Sequence, residues 1–303
     1  MLTRYEHGGI VWVDLESPTT QEVRNAADEF GLDAIIAEEL LVPSAKPRVE
    51  FFERYAYVVL HFPALRHSHT TLEQEVDFVI GRNFMVTTHY DTIDPLHKFS
   101  KVFEVNSVLD KSNIGEHAGY LFFYMLKKLY SAIDHEIEYV RKDLARIEES
   151  IFVGHEVAMV NAISRSARDL LNLRQTIEPH REVLHDLEAD GPAYFGQDFS
   201  RFLKVLSNEY YRVHNHIVRH TDFLHELRET NNSMLSTKEN ETMRVLTIMA
   251  LLTFPLSLLV AILQIDTVHN PVRGLPYDFW IILGAVVTLG SCMIVYFRHK
   301  KWL

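Results

Sequence analysis

The chain has 303 residues, 30 Lys/Arg against 41 Asp/Glu, and a formal net charge of −11. Only five of those basic and two of those acidic residues fall in the last sixty positions, so the front is strongly acidic. That balance excludes a nucleic-acid partner, which needs clustered Lys/Arg to replace counterions. The single cysteine, Cys292, excludes a disulfide framework and a Cys-based zinc site within one chain.

From the N-terminus, Met1–Gly8 shows no apolar core, and no cleaved signal peptide is expected. Residues 1–110 read as a cytoplasmic α/β domain. Gly9 to Leu15 alternates toward a strand, and Ser17-Pro18-Thr19-Thr20-Gln21-Glu22 opens a helix with a cap, a proline and an acidic first turn. Tyr55–Phe62, Val76–Ile80 and Phe84–Thr88 read as strands, and a helix follows Pro95. Residues 111–196 read as a helical pair, with segments at 112–150 and 156–190 that end at Gly191-Pro192.

Residues 197–263 form a stalk helix continuing into a first membrane span, since 197–254 contain neither Gly nor Pro. Val245–Leu263 and Phe279–Phe297 are each 19 residues without a charge. At about 1.5 Å per residue, each matches the hydrocarbon thickness of a bilayer. Residues 264–278 make the external loop, 279–297 the second span, and 298–303 a basic tail. Arg244, Arg298, Lys300 and Lys301 flank the inner ends, whereas the loop holds only Arg273. The positive-inside rule therefore puts both termini in the cytoplasm of a plasma or inner membrane.

Along the first span, Asn240, Met243, Thr247, Ala250, Phe254, Ser257, Ala261 and Gln264 recur at steps of three and four. Most are small or polar among Leu, Ile and Val, so they face other helices or water. Two readings fit: a close-packed helix–helix seam, or a pore lined by several copies of this helix. One hairpin cannot enclose a pore, so the second reading requires an oligomer. The stalk carries an apolar stripe (Leu203, Leu206, Tyr210, Val213, Ile217, Leu224, Leu227, Met234) and a polar one running from Arg212 through Asp222, Glu226 and Glu229 to Ser233.

Catalytic signatures are missing. There is no Gly-rich phosphate loop and no nucleophile elbow, and His135-Glu136-Ile137-Glu138-Tyr139 lacks the second zincin histidine. His216 and His220, four apart, are a weak metal pair without a third ligand. No enzyme activity and no organic cofactor are expected.

Several stretches resemble the CorA family of two-span divalent-cation channels. These are Trp12-Val13-Asp14-Leu15, Lys46-Pro47-Arg48-Val49-Glu50, Gly81-Arg82-Asn83-Phe84, Met243-Arg244-Val245-Leu246-Thr247-Ile248, Phe254-Pro255-Leu256-Ser257 and the closing Lys300-Lys301-Trp302-Leu303. Residues 30–32, 39–40 and 46–50 resemble the family's next helix and turn. The resemblance implies a funnel-shaped homopentamer: an α/β cytoplasmic domain, a long-helix bundle and a two-helix transmembrane hairpin. It places pore positions on Asn240, Met243, Leu246 or Thr247, Phe254 and Ser257. Where the family ends its first span with Gly-Met-Asn, this chain has Gln264-Ile265-Asp266. It thus resembles atypical members of the ZntB and CmaX kind. Five Asp266 carboxylates would attract divalent cations, and His269 would favour a softer ion such as Zn²⁺ over Mg²⁺. The expected function is divalent metal transport, passive or proton-linked. The alternative is a non-conducting sensor of cations or membrane state.

Overall fold

The structure, a computed structural model, describes residues 1–63, 73–91, 93, 95–101, 117–265 and 277–300. They divide into two units, Met1–Arg228 and Glu229–Leu303, with one helix contributing to both.

The first unit begins with the strands β1 (Leu2–His7) and β2 (Ile10–Glu16), then the helices α1 (Thr20–Phe30) and α2 (Ala34–Glu39). Four strands follow: β3 (Arg48–Phe51), β4 (Tyr55–Pro63), β5 (Glu73–Gly81) and β6 (Phe84–His89). The sheet order is β1-β2-β6-β5-β4-β3. Among the described strands only β2 and β6 pair in parallel; the other four pairings are antiparallel. The α1 start is fixed by a capping box, in which Thr19 accepts from the Glu22 N–H and Glu22 accepts from the Thr19 N–H. Gly31 ends it in the left-handed region (φ 66°), where a Cβ would be strained.

One face of the sheet packs Val13, Leu15, Val59, Val79 and Val86 against Val23, Leu32, Ile36 and Leu40 of the α1–α2 layer. The other face meets the helices that follow. Phe78 lies edge-on to Phe122, with ring centroids 5.1 Å apart. Buried His180 accepts a hydrogen bond from the Tyr130 hydroxyl (3.0 Å) and donates to the carbonyl of His61 (2.7 Å). Burial pushes its pKa down to about 4, so the ring is neutral. On the same side, the Trp12 indole donates to Thr87 (2.9 Å), whose hydroxyl donates to Asp14.

After α3, helical over residues 95–101, come α4 (Ala118–Phe152), α5 (Glu156–Ile177), α6 (His180–Phe195) and a short 3₁₀ turn, Gln197–Phe199. Two expected features are corrected here. The segment read as one helix over 156–190 is two, because Pro179 offers no N–H to continue the ladder of α5. Gly191-Pro192 does not end a helix but lies inside α6. Gly191 is buried there because a Cβ would come within 2.8 Å of Leu203. The helix stops instead at Gly196, φ 98°. Two strands also lie outside the expected set. β1 was not anticipated, and Arg48–Phe51, read by resemblance as part of a turn, is an edge strand.

Helix α7, Ser200–Gln264, is continuous. In the first unit its predicted apolar stripe is buried from Leu203 to Leu227, while Arg212, Asn215, Arg219, Asp222 and Glu226 are exposed. The second unit holds the rest of α7 and α8, Asp278–His299. Pro255 sits inside α7. Its missing N–H leaves the Leu251 carbonyl without the usual i+4 donor.

Candidate functional site

The site is built on the apolar part of α7. A soluble protein would bury such a helix, yet Val245, Leu246, Met249, Leu251, Leu258 and Ile262 are all exposed, as are Phe279, Trp280, Val287 and Val295 on α8. Among the described residues, two helices are long and apolar enough to cross a membrane. Exposed on this scale, they need a lipid or protein environment.

The two helices meet along a defined face. Ile248 is buried on α7, Phe297 is buried on α8, and a Cβ at Gly290 would lie 3.7 Å from Leu256 Cδ1. Leu252, Pro255, Leu259 and Leu263 are half-buried and share the Ile248–Leu256 side by their spacing of three, four and seven. The small and polar stripe lies on the opposite side. Asn240, Met243, Leu246, Thr247, Phe254, Ser257, Ala261 and Gln264 are exposed, Phe254 to 74%, and Ala250 is half-buried. At 100° per residue its centre is roughly half a turn from the α8-facing side. A seam with α8 therefore does not explain the stripe. Thr247 donates back to the Met243 carbonyl (2.8 Å) and Thr253 to Met249 (2.7 Å), so these hydroxyls are satisfied within the helix.

Gln264 and Ile265 are exposed at the end of α7. Asp266 and His269, named from the sequence as entrance and metal residues, lie outside the described residues. So do Arg273 and residues 301–303. His216 is half-buried, with Nδ1 2.8 Å from Asp134 Oδ1, and Arg212 approaches the same carboxylate at 3.8 Å. Burial and the nearby positive charges lower the pKa of His220. No group of three His, Cys, Asp or Glu among the described residues is placed to hold a metal, so the pair gains no third ligand.

Pattern reading missed a polar cluster inside the six-stranded sheet: His61, Glu73, Glu75 and Asp77 on β4 and β5. Its signal was present in Gln74-Glu75-Val76-Asp77, where acids alternate with apolar residues in a strand buried on both faces.

These features define a membrane protein with two apolar helices at its C-terminal end, behind an α/β domain and a layer of long helices. Its full-chain match is specific. The chain belongs to the family of CorA-like Mg²⁺ transporter proteins, whose profile spans residues 7–300. The members of that family are ion transporters and not enzymes. The cobalt/magnesium transport protein CorA of Thermotoga maritima is 25% identical over 297 residues, covering 96% of this chain and 83% of that protein. The complete structure of the CorA magnesium transporter from Methanocaldococcus jannaschii superposes with a TM-score of 0.85 at 16% identity, over 99% of this chain and 93% of that one. A structure of the full-length CmaX protein gives 0.73 at 17% identity, over 95% and 88%.

Proposed function

We propose that the chain is a homo-oligomeric channel for divalent cations, with copies of α7 set around an axis and their small and polar stripes turned toward it. The observation that carries this reading is the orientation of the stripe. It faces away from α8, stays exposed in a single chain, and places Asn240, Met243, Thr247, Phe254, Ser257 and Ala261 on one line. Only neighbouring copies or water can meet it, because lipid does not favour polar groups. Five is the copy number that the family implies. Both termini face the cytoplasm, as the basic residues at the inner ends favour.

The cargo is a divalent cation. The Thermotoga relative is named for cobalt and magnesium transport, which supports Mg²⁺ and Co²⁺. Gln264-Ile265-Asp266 at the entrance replaces a neutral ring by carboxylates, and His269 extends the range toward Zn²⁺. Phe254 closes the path when no ion passes, since a ring of apolar side chains expels water.

Metal flux into proteoliposomes holding purified protein tests this, with Mg²⁺, Co²⁺, Ni²⁺ and Zn²⁺ compared. Flux that falls in Asp266→Ala and a closed-state leak that rises in Phe254→Ala are the expected results. Flux indifferent to both substitutions would remove the stripe and the ring from the mechanism. The replaced Gly-Met-Asn motif favours a second reading, a non-conducting cation sensor. Absence of flux for every ion, with the oligomer intact, would transfer the function to that reading.

A further inference from the structure

The sheet face that packs on α1 and α2 is apolar near β2 and turns polar across β4, β5 and the end of β6. Register fixes who shares it. Asp77 lies opposite Val59 on β4 and Thr88 on β6, and Glu75 lies opposite His61. By the two-residue period, Tyr57, His61, Glu73, Glu75, Asp77 and Thr88 all point to this one side, as does Tyr90 just beyond β6.

Asp77 is fully buried, and among the described residues neither carboxylate oxygen has a partner in hydrogen-bond geometry, although the Glu75 carboxyl lies close enough to share a proton with it. Among the described residues the Tyr57 and Thr88 hydroxyls, also fully buried, have no partner in hydrogen-bond geometry, although the Ser44 side chain lies close to the Tyr57 hydroxyl. Glu75, two residues along the same strand face, is nearly as deep. It accepts the Ser44 N–H on both oxygens (2.9 and 2.7 Å) and faces His61 Nε2 at 3.0 Å. Burial, then the Glu75 charge, hold the Asp77 carboxyl well above the usual carboxylate range. Arg48 is drawn off: it pairs with Glu39 and Glu50, and its guanidinium lies 5.4 Å from the centroid of the Tyr57 ring.

Two carboxylates therefore adjoin two hydroxyls, and among the described residues no N–H donor is supplied to Asp77. A shared proton can serve one pair of these oxygens. A hard cation accepts electron pairs from all of them and cancels both charges. A cavity of about 230 Å³, lined by Ser44, His61, Glu73, Glu75 and Tyr90, reaches Glu75 from outside and has room for several waters; Asp77, Tyr57 and Thr88 are not part of its lining.

We propose that Glu75 and Asp77 hold a hard divalent cation of the Mg²⁺ class inside each protomer, with the Tyr57 and Thr88 hydroxyls as further oxygen donors and cavity water filling the shell. Three carboxylates or histidines are not needed, because Mg²⁺ commonly takes one or two carboxylates plus water. His61, hydrogen-bonded to Glu75, orients that carboxylate. The ion ties β5 to the α2–β3 connection through Glu75 and Ser44.

The test is Mn²⁺ binding to the full chain in detergent, followed by paramagnetic resonance, in wild type, Asp77→Asn and Glu75→Gln, with exposed Glu149→Gln as control. The expected result is one Mn²⁺ fewer per chain, or at least ten-fold weaker binding at one site, in the first two variants only, with Mg²⁺ competing in wild type. Equal stoichiometry and affinity in wild type and a folded Asp77→Asn or Glu75→Gln would leave the pair with a shared proton and overturn the site. Anomalous diffraction from Mn²⁺-loaded wild-type crystals decides the matter without any variant: a peak between Glu75 and Asp77 supports the site, and its absence at saturating Mn²⁺ overturns it. Neither measurement needs flux, so failure of the channel reading and failure of this site are separable.

Discussion

The two parts of α7 use the same backbone to opposite ends. In the first unit, Leu203, Leu206, Tyr210, Val213 and Ile217 are buried and the charged residues are exposed. In the second unit the apolar residues Leu246, Met249, Leu251 and Leu258 are themselves exposed, and the small and polar residues gather in a single line. The difference teaches what the surroundings must be. Water drives the first pattern, because burying apolar area is favourable there. Hydrocarbon permits the second, where polar atoms are the ones that seek cover.

The contrast can be broken by truncation. Leu206→Ala in the buried stripe should cost roughly 2–5 kcal/mol, because it leaves a cavity in the packed layer. Urea unfolding of the detergent-solubilised protein measures it. A loss below ~1 kcal/mol would mean that the first part of α7 is not packed as described.

Protonation gives the next largest effect. His180 is held neutral at about 4 against an ordinary 6.5. The unfolded chain binds the extra proton first, so His180 contributes stability that is complete above the unfolded value and is lost as pH falls toward the folded one. The span corresponds to about 3 kcal/mol. Unfolding midpoints at about pH 7 and about pH 4.5 should differ less in His180→Gln than in wild type. His89 works with the opposite sign. Burial lowers its pKa, but Asp14 and the Asp91 carbonyl, which face its two ring nitrogens, outweigh that and raise it. Its share is therefore present at low pH and is lost as pH rises through the folded value, and His89→Gln should flatten the profile on that side.

Gly191→Ala places a methyl 2.8 Å from Leu203, and roughly 1–3 kcal/mol should be lost as that side chain shifts. The smallest effect belongs to the membrane half. Gly290→Ala meets Leu256 at an ordinary 3.7 Å, so oligomer size on gel filtration and the thermal midpoint should be unchanged. A large loss at Gly290, or none at Gly191, would reverse the ranking of the two halves.

Much of this was legible beforehand, and for physical reasons. Nineteen residues without a charge can be read directly, and so can the alternation of β2 and the cap, proline and acidic first turn that open α1. The stripe from Met243 to Ala261 followed from helical period alone, though which side α8 covers did not, because that depends on a second helix. β1 was hidden because Leu2–His7 mixes charge and apolar residues on an edge, and only pairing with β2 makes it a strand. Gly191-Pro192 reads locally as a stop, but close packing on Leu203 keeps it helical. The Glu75–Asp77 face was out of reach, since it exists only once three strands are in register.

The two sheet edges carry a consequence for copies crowded in one membrane. Among the described strands, β1 and β3 are the two edges, and the backbone groups of an edge invite strand addition from a neighbouring chain. On β1, Arg4 pairs with Glu6 and Glu29; on β3, Arg48 pairs with Glu50 and Glu39. A docking strand would have to strip those ions of partners and water at either edge of the sheet. Resistance to aggregation is thus written into the borders of the domain, where crowding would otherwise turn open edges into templates.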